Sequence, residues 1–208
     1  LEKNGEADNT IVIFMSDNGG YATGSGWRDE PLYTQNFPLK CGKGSAYEGG
    51  IREPMIVRWP GTVQPGTRCN DYLIIEDFYP SILEMAGIDD YDVPQEIDGI
   101  SFVPLLKQTK NHSQGRSLYW NCPNIWGEKG PGIGPSCTIR KDNWKMIYFY
   151  ETGEKELYDI PNDTEENNNV AALYPQIINK LSKELGKFLR QRPSLKKTGK
   201  PCPWPDEI

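Results

Sequence analysis

The sequence predicts an α/β fold over residues 1–114 that gives way, over residues 115–208, to a smaller α+β subdomain of antiparallel sheet and helix. Three observations carry this. Ile11, Val12, Ile13, Phe14 and Met15 form an unbroken apolar run, the pattern of a strand buried on both faces of a parallel sheet. From Arg116 onward, short apolar segments alternate with turn residues, as in a meander. Leu173, Ile177, Leu181, Leu185 and Phe188, with Ile178 and Leu189 beside them, recur at helical spacing up to Pro193. One amphipathic helix is therefore expected to cover a face of that meander.

Composition bounds the rest. The chain has 208 residues, 37% of them hydrophobic and 11% aromatic, with a net charge of −6, enough for one core or two small ones. The acidic balance and the lack of a basic patch exclude a nucleic-acid partner. No apolar run approaches the roughly 18 residues of a membrane span. A mean hydropathy of −0.65 and 17 prolines indicate long surface loops. The opening Leu1-Glu2-Lys3-Asn4-Gly5 reads as the last turn of a helix closed by glycine, with no initiating Met and no signal peptide. A fragment of a longer enzyme, expressed as such or released by proteolysis, is expected.

Taken in order, the first strand ends on Asp17-Asn18-Gly19-Gly20, at the position where open α/β sheets place ligands. Asn-Gly and Gly-Gly are also ordinary turn dipeptides. Residues 21–37 show no periodicity but carry Trp27, Tyr33 and Phe37, either aromatic faces for a sugar or loop anchors. Gly42-Lys43-Gly44 and Tyr47-Glu48-Gly49-Gly50-Ile51-Arg52 precede a second strand at Met55-Ile56-Val57. Glycines flanking Lys43 let backbone N–H groups and an ammonium approach one anion together. The chemistry is that of a hard-cation ligand pair beside an oxyanion site. Lys40 reads as a solvated loop cation, and Glu48 and Arg52 as structural.

Residues 71–87 predict a bridge and then a helix, with Asp77 near its start, Pro80 in its first turn and Gly87 as its stop. Phe78, Ile82, Leu83 and Ala86 would form its core stripe. Residues 88–114 are loop-rich, and Asp89 and Asp90 read as solvated. Strands are expected at 117–120, 137–140, 144–149 and 156–159, with Lys141-Asp142-Asn143 as a hairpin turn. The tail from 194 onward reads as an arm on the surface or as disordered. The five cysteines fit no metal-ligand spacing.

The ordered set DNGG, PLKCGKG, YEGGIREP, WPG, the segment 77–88, Asp98-Gly99-Ile100-Ser101-Phe102, the segment 139–145 and Glu156-Leu157-Tyr158-Asp159 resembles the C-terminal portion of the type I sulfatases. These are the formylglycine-dependent arylsulfatases of the alkaline phosphatase superfamily. The resemblance covers nearly the whole chain. It implies the C-terminal part of an alkaline-phosphatase-like sulfatase domain that hydrolyses aryl or carbohydrate sulfate esters. Asp17 and Asn18 would be metal ligands, usually for calcium. Lys43 would be both catalytic and substrate-binding, and Trp27 and Trp126 would line the substrate site.

The family nucleophile is a formylglycine made in a Cys-x-Pro-x-Arg or Ser-x-Pro-x-Arg motif, which this chain lacks. The missing N-terminal half is expected to supply it, so the chain alone would be inactive. The one histidine, His112, reads as surface. Asn121 and Cys122 stand where many relatives carry a histidine near substrate. Cys41 would either bridge to Cys122 or Cys137 or stay a free thiol. The family usually works in the periplasm or outside the cell. The expected partners are a sulfated small molecule or glycan, the missing N-terminal half, and a second copy through an exposed sheet edge. A phosphate or phosphonate ester hydrolase of the same superfamily and a non-catalytic glycan-binding fragment are the alternatives.

Overall fold

A computed structural model describes residues 1–21, 36–88, 90–108, 115–124, 130–192 and 202–207. The chain divides into two compact units, Leu1–Met15 with Met55–Arg116, and Ser16–Pro54 with Ser117–Ile208.

In the first unit, β1 (Val12–Met15) pairs with β2 (Met55–Arg58) as an antiparallel ribbon in which Phe14 faces Ile56. This corrects the expectation of a strand buried on both faces of a parallel sheet. Among the described residues no parallel neighbour lies beside β1. One face of the ribbon is open, with Phe14 64% and Ile56 65% exposed. A 3₁₀ turn, Ile75–Asp77, runs into α2 (Phe78–Met85), and Gly87 closes it at φ +70°.

Asp77 is fully buried, and two-pronged hydrogen bonds from Arg116 at 2.6 and 2.7 Å hold its carboxylate. The carboxylate also accepts the Ile74 and Ile100 N–H groups at 3.1 and 2.9 Å. Ser81 Oγ donates to the Asp77 carbonyl at 2.6 Å and accepts the Phe102 N–H at 2.9 Å. These bonds turn the Asp77–Ser81 side of α2 toward the buried residues of α3 (Val103–Leu106). The predicted apolar stripe is a core stripe only in part: Phe78 packs edge-on against the buried Phe102, with ring centroids 5.1 Å apart. Ile82 is 51% exposed and Ala86 is exposed as well.

The second unit is built on the antiparallel sheet β3 (Ser117–Cys122), β4 (Ser136–Lys141), β5 (Trp144–Phe149) and β6 (Lys155–Asp159), in sequential order. The tight β4–β5 hairpin needs a left-handed residue, and Asp142 supplies it at φ 51°. Side chains alternate across the sheet. Cys137, Ile139, Met146, Tyr148 and Leu157 face α4 (Pro175–Gln191), whose Leu181, Leu185 and Leu189 are buried against them. Phe188 stacks on Tyr119 with ring centroids 3.9 Å apart. Leu173, counted in the stripe, precedes the helix and is 72% exposed.

Over residues 202–207 the tail is an arm packed on the second unit, anchored at both ends, with Asp206 and Glu207 exposed. Cys202 joins the core beneath α4, and Asp206 takes both prongs of Arg190 at 2.9 and 3.0 Å. On the opposite face of the sheet, Ile147, Tyr158 and Ile160 are covered by Tyr47, Cys41 and Ala46. The segment carrying Lys43 thus forms the second layer over the meander.

Candidate active site

Three pieces of backbone meet around the turn that follows β1. Gly19 N–H donates to Gly50 O at 3.1 Å, Lys43 N–H to Gly20 O at 3.1 Å, and Gly49 N–H to Lys40 O at 3.0 Å. A Cβ at Gly19 would strike Gly49 O, and one at Gly49 would strike the Lys40 and Cys41 carbonyls. Only glycine permits so close a passage of main chains. The weave places the Asp17-Asn18 turn and Lys43, read separately from sequence, on one patch.

Within that patch Asp17 is exposed, while Asn18 and Lys43 are half-buried. Ser16 Oγ donates to the Asn18 carbonyl at 2.9 Å. Glu53, which the sequence reading passed over, lies beside them. Burial first and then the charge of Asp17 push its carboxyl above its ordinary value, against the opposing effect of the nearby Ser16 hydroxyl. Its Oε1 is buried with no hydrogen-bond partner. Two carboxylates that repel each other, one of them with an orphaned oxygen, and an amide oxygen are the hard donors that a calcium-type cation takes. Among the described residues no group of three or more His, Cys, Asp or Glu side chains could hold a metal by itself. Asp17, Asn18 and Glu53 could by themselves hold only part of an oxygen shell.

Behind the patch lies a buried ion cluster. Lys145, with no exposure, places its ammonium 3.0 Å from Glu48 and 2.8 Å from Glu166. Glu48 also meets Arg140 at 3.4 Å and Arg52 at 3.8 Å. Glu166 accepts the Glu48 N–H at 2.6 Å, capping α1 (Glu48–Ile51). The structural reading of Glu48 and Arg52 agrees with this. Lys40 differs from its solvated reading, because its ammonium donates to Glu166 O at 3.0 Å and sits 3.9 Å over the Tyr47 ring. An aromatic face and a buried carbonyl replace its water.

Trp27, Tyr33, Trp126, His112 and Asp89 lie outside the described residues. Asn121 Oδ1 accepts the Tyr150 hydroxyl at 2.8 Å, a role within the subdomain. None of the five cysteines is in a disulfide, so Cys41 bridges neither Cys122 nor Cys137. Burial pushes the Cys137 thiol up to about 12.

Comparison with known proteins shows the family to which the chain belongs. The family model for the C-terminal region of N-sulphoglucosamine sulphohydrolase matches residues 41–191, and the chain belongs to this sulfatase family. It is 34% identical over 179 residues to a sulfatase of Formosa agariphila, covering 82% of this chain and 30% of that protein. It is 31% identical to an N-acetylglucosamine-6-O-sulfatase of Bacteroides thetaiotaomicron, covering 82% of this chain and 28% of that one.

Among solved structures, Ps i-CgsB in complex with k-i-k-neocarrahexaose superposes with a TM-score of 0.74 at 29% identity, over 90% of this chain and 38% of that one. BT4656 in complex with its substrate D-glucosamine-2-N,6-O-disulfate gives 0.66 at 28% identity, over 92% and 36%. The alkaline-phosphatase-like α/β class with an antiparallel C-terminal part stands on these likenesses. The chain spans about a third of the length of the relatives it matches. No helix among the described residues is long and apolar enough to cross a membrane.

Proposed function

We propose that this chain is the C-terminal part of a calcium-dependent sulfatase that hydrolyses sulfate esters of carbohydrates. The observation that carries the reading is the Lys43 N–H bond to Gly20 O at 3.1 Å, which joins the oxygen-donor turn to the cationic loop. Asp17 and Asn18 would hold the cation, with Glu53 beside them. A bound calcium supplies fixed positive charge where negative charge builds up on the sulfate oxygens. Lys43 binds those oxygens and stabilises the same charge as the S–O bond breaks, a role suited to a compact ammonium. Trp27 and Trp126 would pack against the sugar. The nucleophile, a formylglycine, would come from a segment N-terminal to Leu1. Residues 1–114 would then be the end of the catalytic domain and 115–208 its C-terminal subdomain, with the protein working in the periplasm or outside the cell.

The test uses the whole protein that contains this chain, assayed with calcium on N- and 6-O-sulfated glucosamines and on the matching phosphate esters. Sulfate release that falls about 10²–10³-fold in Lys43→Ala, and falls again on chelation, is expected. Turnover confined to the phosphate esters would replace the reading with a phosphatase. Unchanged turnover in Lys43→Ala and Asp17→Ala would remove it. Turnover of sulfate by the 208-residue chain alone would show that the nucleophile is not where we place it.

A further inference from the structure

Asn36 stands just before the Lys43 loop, and its side chain reaches three separate pieces of the site. The Nδ2 group lies 3.0 Å from the carbonyl of Gly20, 3.0 Å from that of Cys41 and 3.0 Å from that of Gly49. Gly20 closes the turn that begins with Asp17 and Asn18. Cys41 lies two residues before Lys43, and Gly49 sits in α1. An amide has two N–H bonds, so one is shared between two acceptors. Three carbonyls around one group also fix its orientation, because turning the amide over would set its oxygen against all three.

We propose that Asn36 is a positioning residue of the active site, setting the separation between the Asp17-Asn18 turn and Lys43 by holding both backbones on one donor. This rests on the roles proposed above for those residues. Three backbone bonds, Lys43 N–H to Gly20 O, Gly19 N–H to Gly50 O and Gly49 N–H to Lys40 O, each tie one pair of segments, and the Asn36 amide is the one group among the described residues that ties all three at a single point. Its partners are main-chain carbonyls, so it acts without touching substrate or cation. A small displacement of groups around a reacting centre costs rate far more than it costs stability.

The experiment compares Asn36→Asp, Asn36→Ala and Lys43→Ala in the whole protein. Aspartate keeps the shape of asparagine but offers the three carbonyls an anion in place of a donor. The expected result is that Asn36→Asp is the worse of the two Asn36 variants. Its kcat falls about 10²-fold with KM within about threefold, and calcium affinity, read by calorimetry without substrate, falls about tenfold. A residue that only fills space would give the opposite order, with Asn36→Asp near wild type, and that outcome overturns the proposal. So does loss of folding in both variants at the assay temperature, which would make Asn36 a stability residue. A Lys43→Ala variant with full activity would instead sink the sulfatase reading beneath it, so the two failures are distinguishable.

Discussion

Lys145 is the residue on which the second layer of the sheet depends. Its ammonium has no contact with water, and Glu48 and Glu166 neutralise it at 3.0 and 2.8 Å. Taking an ion out of water costs several kcal/mol even after relaxation, and removing one partner leaves the others uncompensated. Lys145→Met should therefore lower stability by about 3–5 kcal/mol, read as a shift in the urea midpoint. Adding Glu166→Gln should restore part of it. An unchanged midpoint would show that the cluster contributes nothing. This cluster was hidden from the sequence for a physical reason. Asp17, Asn18 and Lys43 stand out in the sequence because each sits among its own glycines, so the roles proposed for them can be read locally. Lys145 meets Glu48 across 97 residues, and Glu166 meets the Glu48 N–H across 118. Glu166 itself stands in the polar run 163–169, where nothing local sets it apart. Asn36 is likewise silent, since its three partners are carbonyls that any residue carries.

Among the elements, α4 and the four strands were legible almost to the residue, because hydrophobic period and turn chemistry are local properties. The exceptions share one cause. On α2, Phe78 packs against Phe102 while Ile82 and Ala86 stay exposed, and Leu173 is exposed as well; periodicity cannot report what covers a face. The seam between α4 and the sheet carries a charged anchor, Glu184, which takes Lys141 at 2.7 and 2.8 Å and a short hydrogen bond from Ser117. Burial pushes the Glu184 carboxyl up, but the hydrogen bonds from Lys141 and Ser117 and the Lys141 charge outweigh it, so it lies below its ordinary value. A carboxyl depressed in the folded state adds stability above its unfolded pKa of about 4.3 and loses it as pH falls through the folded value. The group is partly solvated, so the effect is about 1 kcal/mol or less. The difference in Tm between the wild type and Glu184→Gln should be present at neutral pH and close as pH drops below about 4. A constant difference across that range would mean that charge has no part in the seam.

At the scale of the whole molecule, the first unit exposes what a core would bury. Val12, Phe14 and Ile56 are 39%, 64% and 65% exposed on the ribbon, and in the same unit Ile75, Ile82 and Ile100 are 62%, 51% and 50% exposed. Phe14 and Ile56 lie directly opposite each other on the ribbon, exposed apolar surface of the kind that marks an interaction site when it is contiguous, and the outer edge of a two-stranded ribbon offers unpaired backbone besides. The apolar run that opens the chain therefore has the composition of a central strand without, among the described residues, the neighbours of one. We propose that in the whole protein a further segment covers this face, and that in the 208-residue chain a second copy does. Sedimentation velocity of that chain should then show association that grows with concentration. Phe14→Lys with Ile56→Lys should return it to a monomer, because two ammonium groups cannot be buried against a like surface without partners. A strictly monomeric profile at high concentration would remove the proposal. Association that survives both lysines would move the contact away from the ribbon, toward the exposed side of α2.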